Sequence, residues 1–222
     1  MTEEEFEDFV MECPTLFHMA ERGAWEAIKS QGLLSTSALL DLYKVRGAER
    51  IRVEREHRPS SVSIESPGLP GAVIRDQMPM SDAGLRRSLL GGLAPSDWYE
   101  LLNGKVFFWT NEDRLHKLTS AKAYRNREHD VLELDTRSLI QAYREQVWLC
   151  PINSGCTRPF PHPRSVDVFC RIPDYPYAFW RDRRRRGERV VEVAVDYAVP
   201  DVSSFVQRVI VKKRDQRVAD LD

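Results

Sequence analysis

The chain alternates between two periodicities. Phe6, Phe9 and Val10 recur at helical spacing, which predicts a short helix over residues 3–12 that Pro14 ends. Leu16-Phe17-His18-Met19 reads as a strand, and Trp25 to Gln31 as a helix stopped by Gly32. Ser35 or Ser37 can cap the following helix, which carries Leu39, Leu42 and Tyr43. Residues 46–61 are dominated by charge and read as a solvated helical face or as a loop over a site. Val62-Ser63-Ile64 and Ala72-Val73-Ile74 are short extended segments around a turn at Pro67-Gly68-Leu69-Pro70-Gly71.

Helices are expected from about Asp82 to Leu90 and from Pro95 to Asn103. Lys105-Val106-Phe107-Phe108-Trp109 is a strand by its aromatic and β-branched content. Asn111 caps a helix bearing Leu115, Leu118 and Ala121. The strand Val131–Asp135 then precedes a helix that Thr136 can cap. Six prolines between 150 and 176 argue against regular structure there, and long irregular stretches in compact domains are often functional loops. A strand around Glu192 and a final one over Gln207–Lys213 complete the chain. Helices and strands do not alternate strictly, so the expected class is α+β rather than a doubly wound parallel sheet.

Composition narrows this little. The 222 residues lack a Gly/Ser linker or repeat, which favours one domain over 1–222. Thirty-three basic against 34 acidic residues give a formal net charge of -1, so net charge selects no partner class. No apolar run reaches the ~18 residues needed to span a bilayer, and the acidic Met1-Thr2-Glu3-Glu4-Glu5 is unlike a secretory leader. A cytoplasmic protein with four free thiols is the expectation. Cys150, Cys156, His162 and Cys170 lie close in sequence but lack the short spacings of structural zinc sites, so no metal is assigned.

Candidate chemistry starts at Arg189-Val190-Val191-Glu192-Val193-Ala194-Val195, where one carboxylate interrupts an apolar strand. Alternation puts Val191, Val193 and Val195 on one face and Glu192 on the other beside Val190 and Ala194. A carboxylate is costly to bury without a partner, so Glu192 is either ion-paired or used. His18 sits similarly among apolar residues of the first strand, as a core histidine or as a ligand group. Arg181, Arg183, Arg184, Arg185, Arg186 and Arg189 form a basic cluster before the Glu192 strand, read as a solvated element end or a nucleic-acid contact. Phosphate-loop, G-x-G-x-x-G, G-x-S-x-G and H-E-x-x-H motifs are absent from the sequence.

The chain resembles the ADP-ribosyltransferase fold, and within it the DNA-modifying DarT-type enzymes. The likeness lies in Leu16-Phe17-His18-Met19-Ala20, Trp25-Glu26-Ala27-Ile28 and Gln31-Gly32-Leu33-Leu34-Ser35 at one end. At the other end it lies in Val191–Val195, Val199-Pro200 and Val209-Ile210-Val211. Arg75-Asp76-Gln77-Met78-Pro79-Met80 and Val106–Trp109 occupy the positions of a substrate loop and central strands. Ala20 replaces the family's threonine, and Asn153–Arg164 has no counterpart in that pattern.

The resemblance implies a central split β-sheet and NAD as substrate, with Glu192 catalytic. It implies a catalytic arginine, for which Arg58 fits best and Arg55 and Arg75 are rivals. His18, Met19, Ala20, Gly32 and Leu33 would bind the dinucleotide, and Trp109 or Phe108 would stack on the nicotinamide. Arg75 would hold the pyrophosphate or the acceptor, single-stranded DNA or RNA. Apart from the resemblance, Asn153, Ser154 and Thr157 supply donors and acceptors that could bind a base, a ribose or a protein backbone, and Asn-Ser-Gly is equally ordinary turn chemistry. A toxin-like enzyme of this kind would have an antitoxin partner. A catalytically silent member binding nucleotide, nucleic acid or protein is the alternative, supported by Ala20. A related phosphotransferase that removes a 2′-phosphate from RNA is a third possibility.

Overall fold

The structure is a computed structural model and describes residues 1–221. The chain begins with α1 (Glu3–Glu12), whose N-terminus is closed by reciprocal Thr2–Glu5 hydrogen bonds, and β1 (Thr15–Glu21). Next come α2 (Trp25–Gln31), β2 (Leu33–Leu34), α3 (Thr36–Leu42) and α4 (Gly47–Arg55). Ser35 is the cap of α3, accepting from the Ala38 N–H at 3.2 Å, while Ser37 instead donates to the buried Glu54. The charged stretch after residue 46 therefore forms a helix, with Val53 and Glu54 as its buried residues.

β3 (Val62–Ile64) and β4 (Ala72–Ile74) pair as the expected small hairpin. α5 (Asp82–Ser88) and α6 (Pro95–Asn103) lead to β5 (Lys105–Trp109) and α7 (Glu112–Thr119). β6 (His129–Asp135) and α8 (Thr136–Ala142) follow. The cap of α8 is Asp135, which accepts from the Ser138 N–H at 2.8 Å, whereas the Thr136 hydroxyl turns inward to the Cys13 carbonyl at 2.6 Å. β7 (Val147–Cys150) and α9 (Tyr177–Arg181) flank the proline-rich stretch. β8 (Glu192–Asp196), β9 (Ala198–Val199), β10 (Val206–Lys213) and β11 (Gln216–Leu221) end the chain, so β10 is not the last strand.

Seven strands form one sheet in the order β11-β10-β6-β1-β5-β8-β7, antiparallel throughout, so the α+β class holds. On one face α1, α2 and α8 bury Phe6, Phe9, Trp25, Ile28, Leu139 and Ile140 against Leu16, Leu132, Phe108, Val193 and Val195. On the other, α5 and α6 pack Leu85, Trp98 and Tyr99 against Cys150 and Ala194. There too α7 packs Leu115 against Phe17, Val131 and Ile210. Removing this apolar surface from water is the main term favouring the fold.

The sheet is unevenly knitted. β1 runs alongside β6 from Thr15↔Asp135 to Glu21↔His129. Against β5 it is in register at Phe17↔Trp109 alone among the described residues. The two strands part beyond that point, and a cavity occupies the opening.

Candidate active site

A cavity of about 600 Å³ lies between β1, β5, the β4–α5 segment and the loop after β7. Most of the site residues singled out from the sequence line it. His18, Met19 and Ala20 come from β1, Gly32 and Leu33 from the α2–β2 corner, and Trp109 from β5. Arg58 and Arg75 approach from the α4–β4 side, and Asn153, Ser154 and Glu192 close the far end. Arg55 does not reach it, and pairs instead with Asp97 at 3.1 Å and Glu100 at 3.3 Å on the surface.

Glu192 opens β8, opposite Trp109 on one side and Cys150 on the other, and is 4% exposed. The Ser154 N–H donates to its carboxylate, at 3.1 Å to Oε2 and 3.3 Å to Oε1. No cation stands within salt-bridge distance of it among the described residues. Burial raises its pKa to about 7, against hydrogen bonding from Ser154 and the charges of Arg114 and Arg164. It is therefore a desolvated carboxylate facing a cavity, poised near neutrality, which is how acid–base and charge-stabilising groups are commonly set. The ion-paired alternative is not what forms.

The loop that holds Glu192 was expected to be irregular, and its order comes from Arg164. This side chain is fully buried and stacks toward the Trp98 ring at 5.6 Å. Its Nη1 donates to the Ser154 carbonyl at 2.8 Å, Nη2 to Cys156 at 2.9 Å and Nε to His162 at 3.0 Å. Trp98 Nε1 adds a second donor to the Ser154 carbonyl at 3.3 Å. Ser154 is thus held through the carbonyl that follows it while its own N–H faces the carboxylate. Thr157 pins the next turn, accepting from the Ser81 N–H at 3.1 Å beside Gly84, where a Cβ would stand 2.6 Å from the Thr157 Oγ1. Sequence reasoning missed Arg164, one arginine inside the proline-rich stretch with no local signal to set it apart.

His18 Nδ1 lies 2.8 Å from the Phe107 carbonyl. A carbonyl accepts only, so Nδ1 carries the proton and Nε2 is an acceptor. Burial depresses the His18 pKa to about 4, aided by the nearby charge of Arg75, so the ring is neutral at ordinary pH. At the corner below, Gly32 has φ +84 and lies so close to Pro200 that a Cβ would meet its Cα at 2.5 Å. Glycine there allows β2 to pair with β9 through Leu33↔Val199 and closes the cavity wall.

The two arginines differ. Arg58 is 6% exposed and gives each of its side-chain nitrogens to the protein: Nε to the Arg75 carbonyl at 2.8 Å, Nη2 to Asn103 Oδ1 at 3.2 Å and Nη1 to the Val53 carbonyl. Burial lowers its pKa to about 10, and its role is to hold neighbouring backbone in place. Arg75 Nη1 donates to the Met19 and Ala20 carbonyls, both at 3.3 Å, and its guanidinium lies over the Tyr124 ring at 5.2 Å. Its Nη2 is buried with no partner. A buried guanidinium edge left open beside a cavity is a ready site for a ligand anion.

Phe108 is 1% exposed and faces the core, tilted against the His18 ring, so Trp109 is the more accessible aromatic for stacking. The four cysteines are free thiols. Among the described residues no group of three His, Cys, Asp or Glu side chains converges as a metal site requires. No helix among them is long and apolar enough to cross a membrane.

Comparison with known proteins gives one match, to the family described as "Family of unknown function (DUF7002)", over residues 14–206. No curated protein and no solved structure matches the chain.

Proposed function

We propose that this chain, which belongs to the DUF7002 family, is an NAD-dependent ADP-ribosyltransferase that modifies a nucleic-acid base. The observation that carries this reading is the convergence of His18 and Glu192, 174 positions apart, on one cavity with an unpartnered arginine edge between its walls. Its size falls in the range usual for small-molecule sites. Its groups are those a dinucleotide needs: a neutral imidazole acceptor for a ribose hydroxyl, the open Nη2 of Arg75 for a phosphate, and the indole of Trp109 for a flat ring.

NAD supplies the ADP-ribosyl group and nicotinamide as leaving group. As the glycosidic C–N bond breaks, its electron pair leaves with nicotinamide and positive charge develops on the ribose, as in glycoside hydrolysis. Glu192, when ionised, stabilises that charge and accepts a hydrogen bond from a ribose hydroxyl. A base nitrogen or oxygen forms the new bond to the ribose carbon, and its proton passes to Glu192 or to water. Ser154 and Arg164 keep the carboxylate aimed. Arg58 acts through the backbone of Arg75. Incubation with NAD and single-stranded DNA or RNA, followed by mass spectrometry, tests the proposal through the expected ADP-ribose adduct.

A second reading, a silent nucleotide-binding member, is favoured by one observation. Ala20 brings no hydroxyl to the cavity, and its carbonyl is already engaged by Arg75. Such a protein would bind NAD without consuming it, so turnover separates the two. For the third possibility, 2′-phosphate removal from RNA, several cations converging on one phosphate are needed; among the described cations that line the cavity, Arg58, Lys105 and Arg22 are engaged with protein groups, and Arg75 has a buried nitrogen without a partner.

A further inference from the structure

A second cleft, of about 750 Å³, lies between α7, the loop after β7 and the segment that precedes β8. Five cationic side chains line it, Arg114, Lys117, Arg158, Arg184 and Arg185, against the single carboxylate of Glu188. Glu188 is already engaged by Arg114 and lies 3.6 Å from Arg185. Arg184 is fixed flat against the Trp180 ring at 3.9 Å and donates to the Pro151 carbonyl at 2.6 Å. Lys117 and Arg158 are exposed and have no protein partner among the described residues. Arg114 Nε is buried and unpartnered.

Two features make this cleft more than a solvated basic patch. Phe160 stands on its rim 85% exposed, an unusual position for a large aromatic. Asn153 lines both this cleft and the cavity holding His18 and Glu192, so the two spaces meet at one residue. Much of the arginine cluster seen in the sequence points elsewhere: Arg186 and Arg189 pair with Glu12, and Arg183 stacks on Phe179. Only Arg184 and Arg185 of that cluster face the cleft.

We infer that this second cleft binds the phosphodiester backbone of a single-stranded nucleic acid, with Phe160 stacking on a base and Asn153 marking the passage of a neighbouring base toward Glu192. Dispersed cations beside an exposed aromatic are the pairing that single strands use, charge for the backbone and a ring for the bases. An acidic peptide would use the cations and have less call on the ring. The inference rests on the transferase reading for its purpose, but the cleft's binding can be measured without NAD.

The test is fluorescence anisotropy of a short labelled single-stranded oligonucleotide across a salt series, for the wild type, the Lys117→Gln/Arg158→Gln double variant and Phe160→Ala. All three positions are exposed, so the variants should fold. The double variant is expected to bind at least ten-fold more weakly, and its log K against log salt slope to shrink by roughly 1.4, at about 0.7 per phosphate contact. Phe160→Ala should weaken binding with the slope unchanged. NAD affinity by calorimetry should stay at the wild-type value in all variants. Equal binding by all three proteins, no oligonucleotide binding by the wild type, or displacement by polyglutamate as effective as by unlabelled oligonucleotide would each overturn the inference. Loss of NAD binding or turnover in the wild type with oligonucleotide binding intact would count against the transferase reading alone.

Discussion

His18 Nδ1 donates to the Phe107 carbonyl at 2.8 Å, joining β1 to β5 through a side chain where their backbones have separated. One hydrogen bond thus fixes the tautomer, orients Nε2 and spans the opening that the cavity occupies. His18→Ala is expected to weaken NAD binding by about ten-fold, the scale of one hydrogen bond of ~1.4 kcal/mol. Because the ring is neutral down to about pH 4, this contribution should be flat between pH 5 and 8. Isothermal calorimetry across that range checks both statements, and a step in affinity near pH 6.5 specific to the wild type would contradict them.

Glu192 should make the protein less stable as pH rises. Its folded pKa of about 7 lies above the ordinary 4.5, so the native state holds the extra proton between those values. The stability this proton confers is complete below pH ~4.5 and is lost as pH rises through 7. Glu192→Gln keeps the acceptor for the Ser154 N–H and removes the buried charge. It should stabilise the protein at pH 8 by up to about 3 kcal/mol and by little at pH 5. Urea unfolding at the two pH values measures this; a difference independent of pH would refute the assigned burial.

Arg164 links loop order to the acid's titration. Its charge helps lower the Glu192 pKa, so Arg164→Gln should raise that pKa and shift the pH midpoint of turnover upward. A purely structural role predicts lower activity at every pH with the midpoint unmoved. Turnover at saturating NAD over pH 5.5–9 separates the outcomes.

Much of the architecture was legible because its signals were local. Phe6, Phe9 and Val10 do mark the buried side of α1, and Pro95 does open α6. Gly32 likewise ends α2 where the sequence placed the stop. What escaped depended on tertiary partners. Val147–Cys150 is a short apolar run whose strand character comes from lying beside β8, and Gln216–Leu221 is polar and pairs only because β10 offers an edge. The α8 cap moved from Thr136 to Asp135 because the threonine hydroxyl found Cys13. Arg164 was invisible for the same reason, as the carbonyls it gathers are ordered only in the folded loop. The sequence pattern also could not tell Arg58 from Arg75; the distinction lies in which guanidinium the backbone already occupies.

Gly32→Ala should be among the most damaging single changes outside the sheet core. The residue combines φ +84 with an approach to Pro200 closer than any Cβ tolerates. With ψ 171 this backbone lies in a region essentially reserved to glycine, which costs another residue ~1–3 kcal/mol, and displacing the Pro200 backbone adds to it. A fall in midpoint of several degrees on thermal unfolding is expected. An unchanged midpoint would mean that the β2–β9 corner yields freely and does not shape the cavity.

The central claim is that Glu192 and His18 serve one bound dinucleotide, and the most direct measurement is nicotinamide release from NAD in the presence of single-stranded DNA or RNA. The wild type should release nicotinamide with a matching ADP-ribose adduct on the strand. Glu192→Gln should bind NAD within a few-fold of the wild type and lose at least a hundred-fold in turnover. Wild-type turnover in Glu192→Gln, or tight NAD binding indifferent to both Glu192 and His18, would contradict the account.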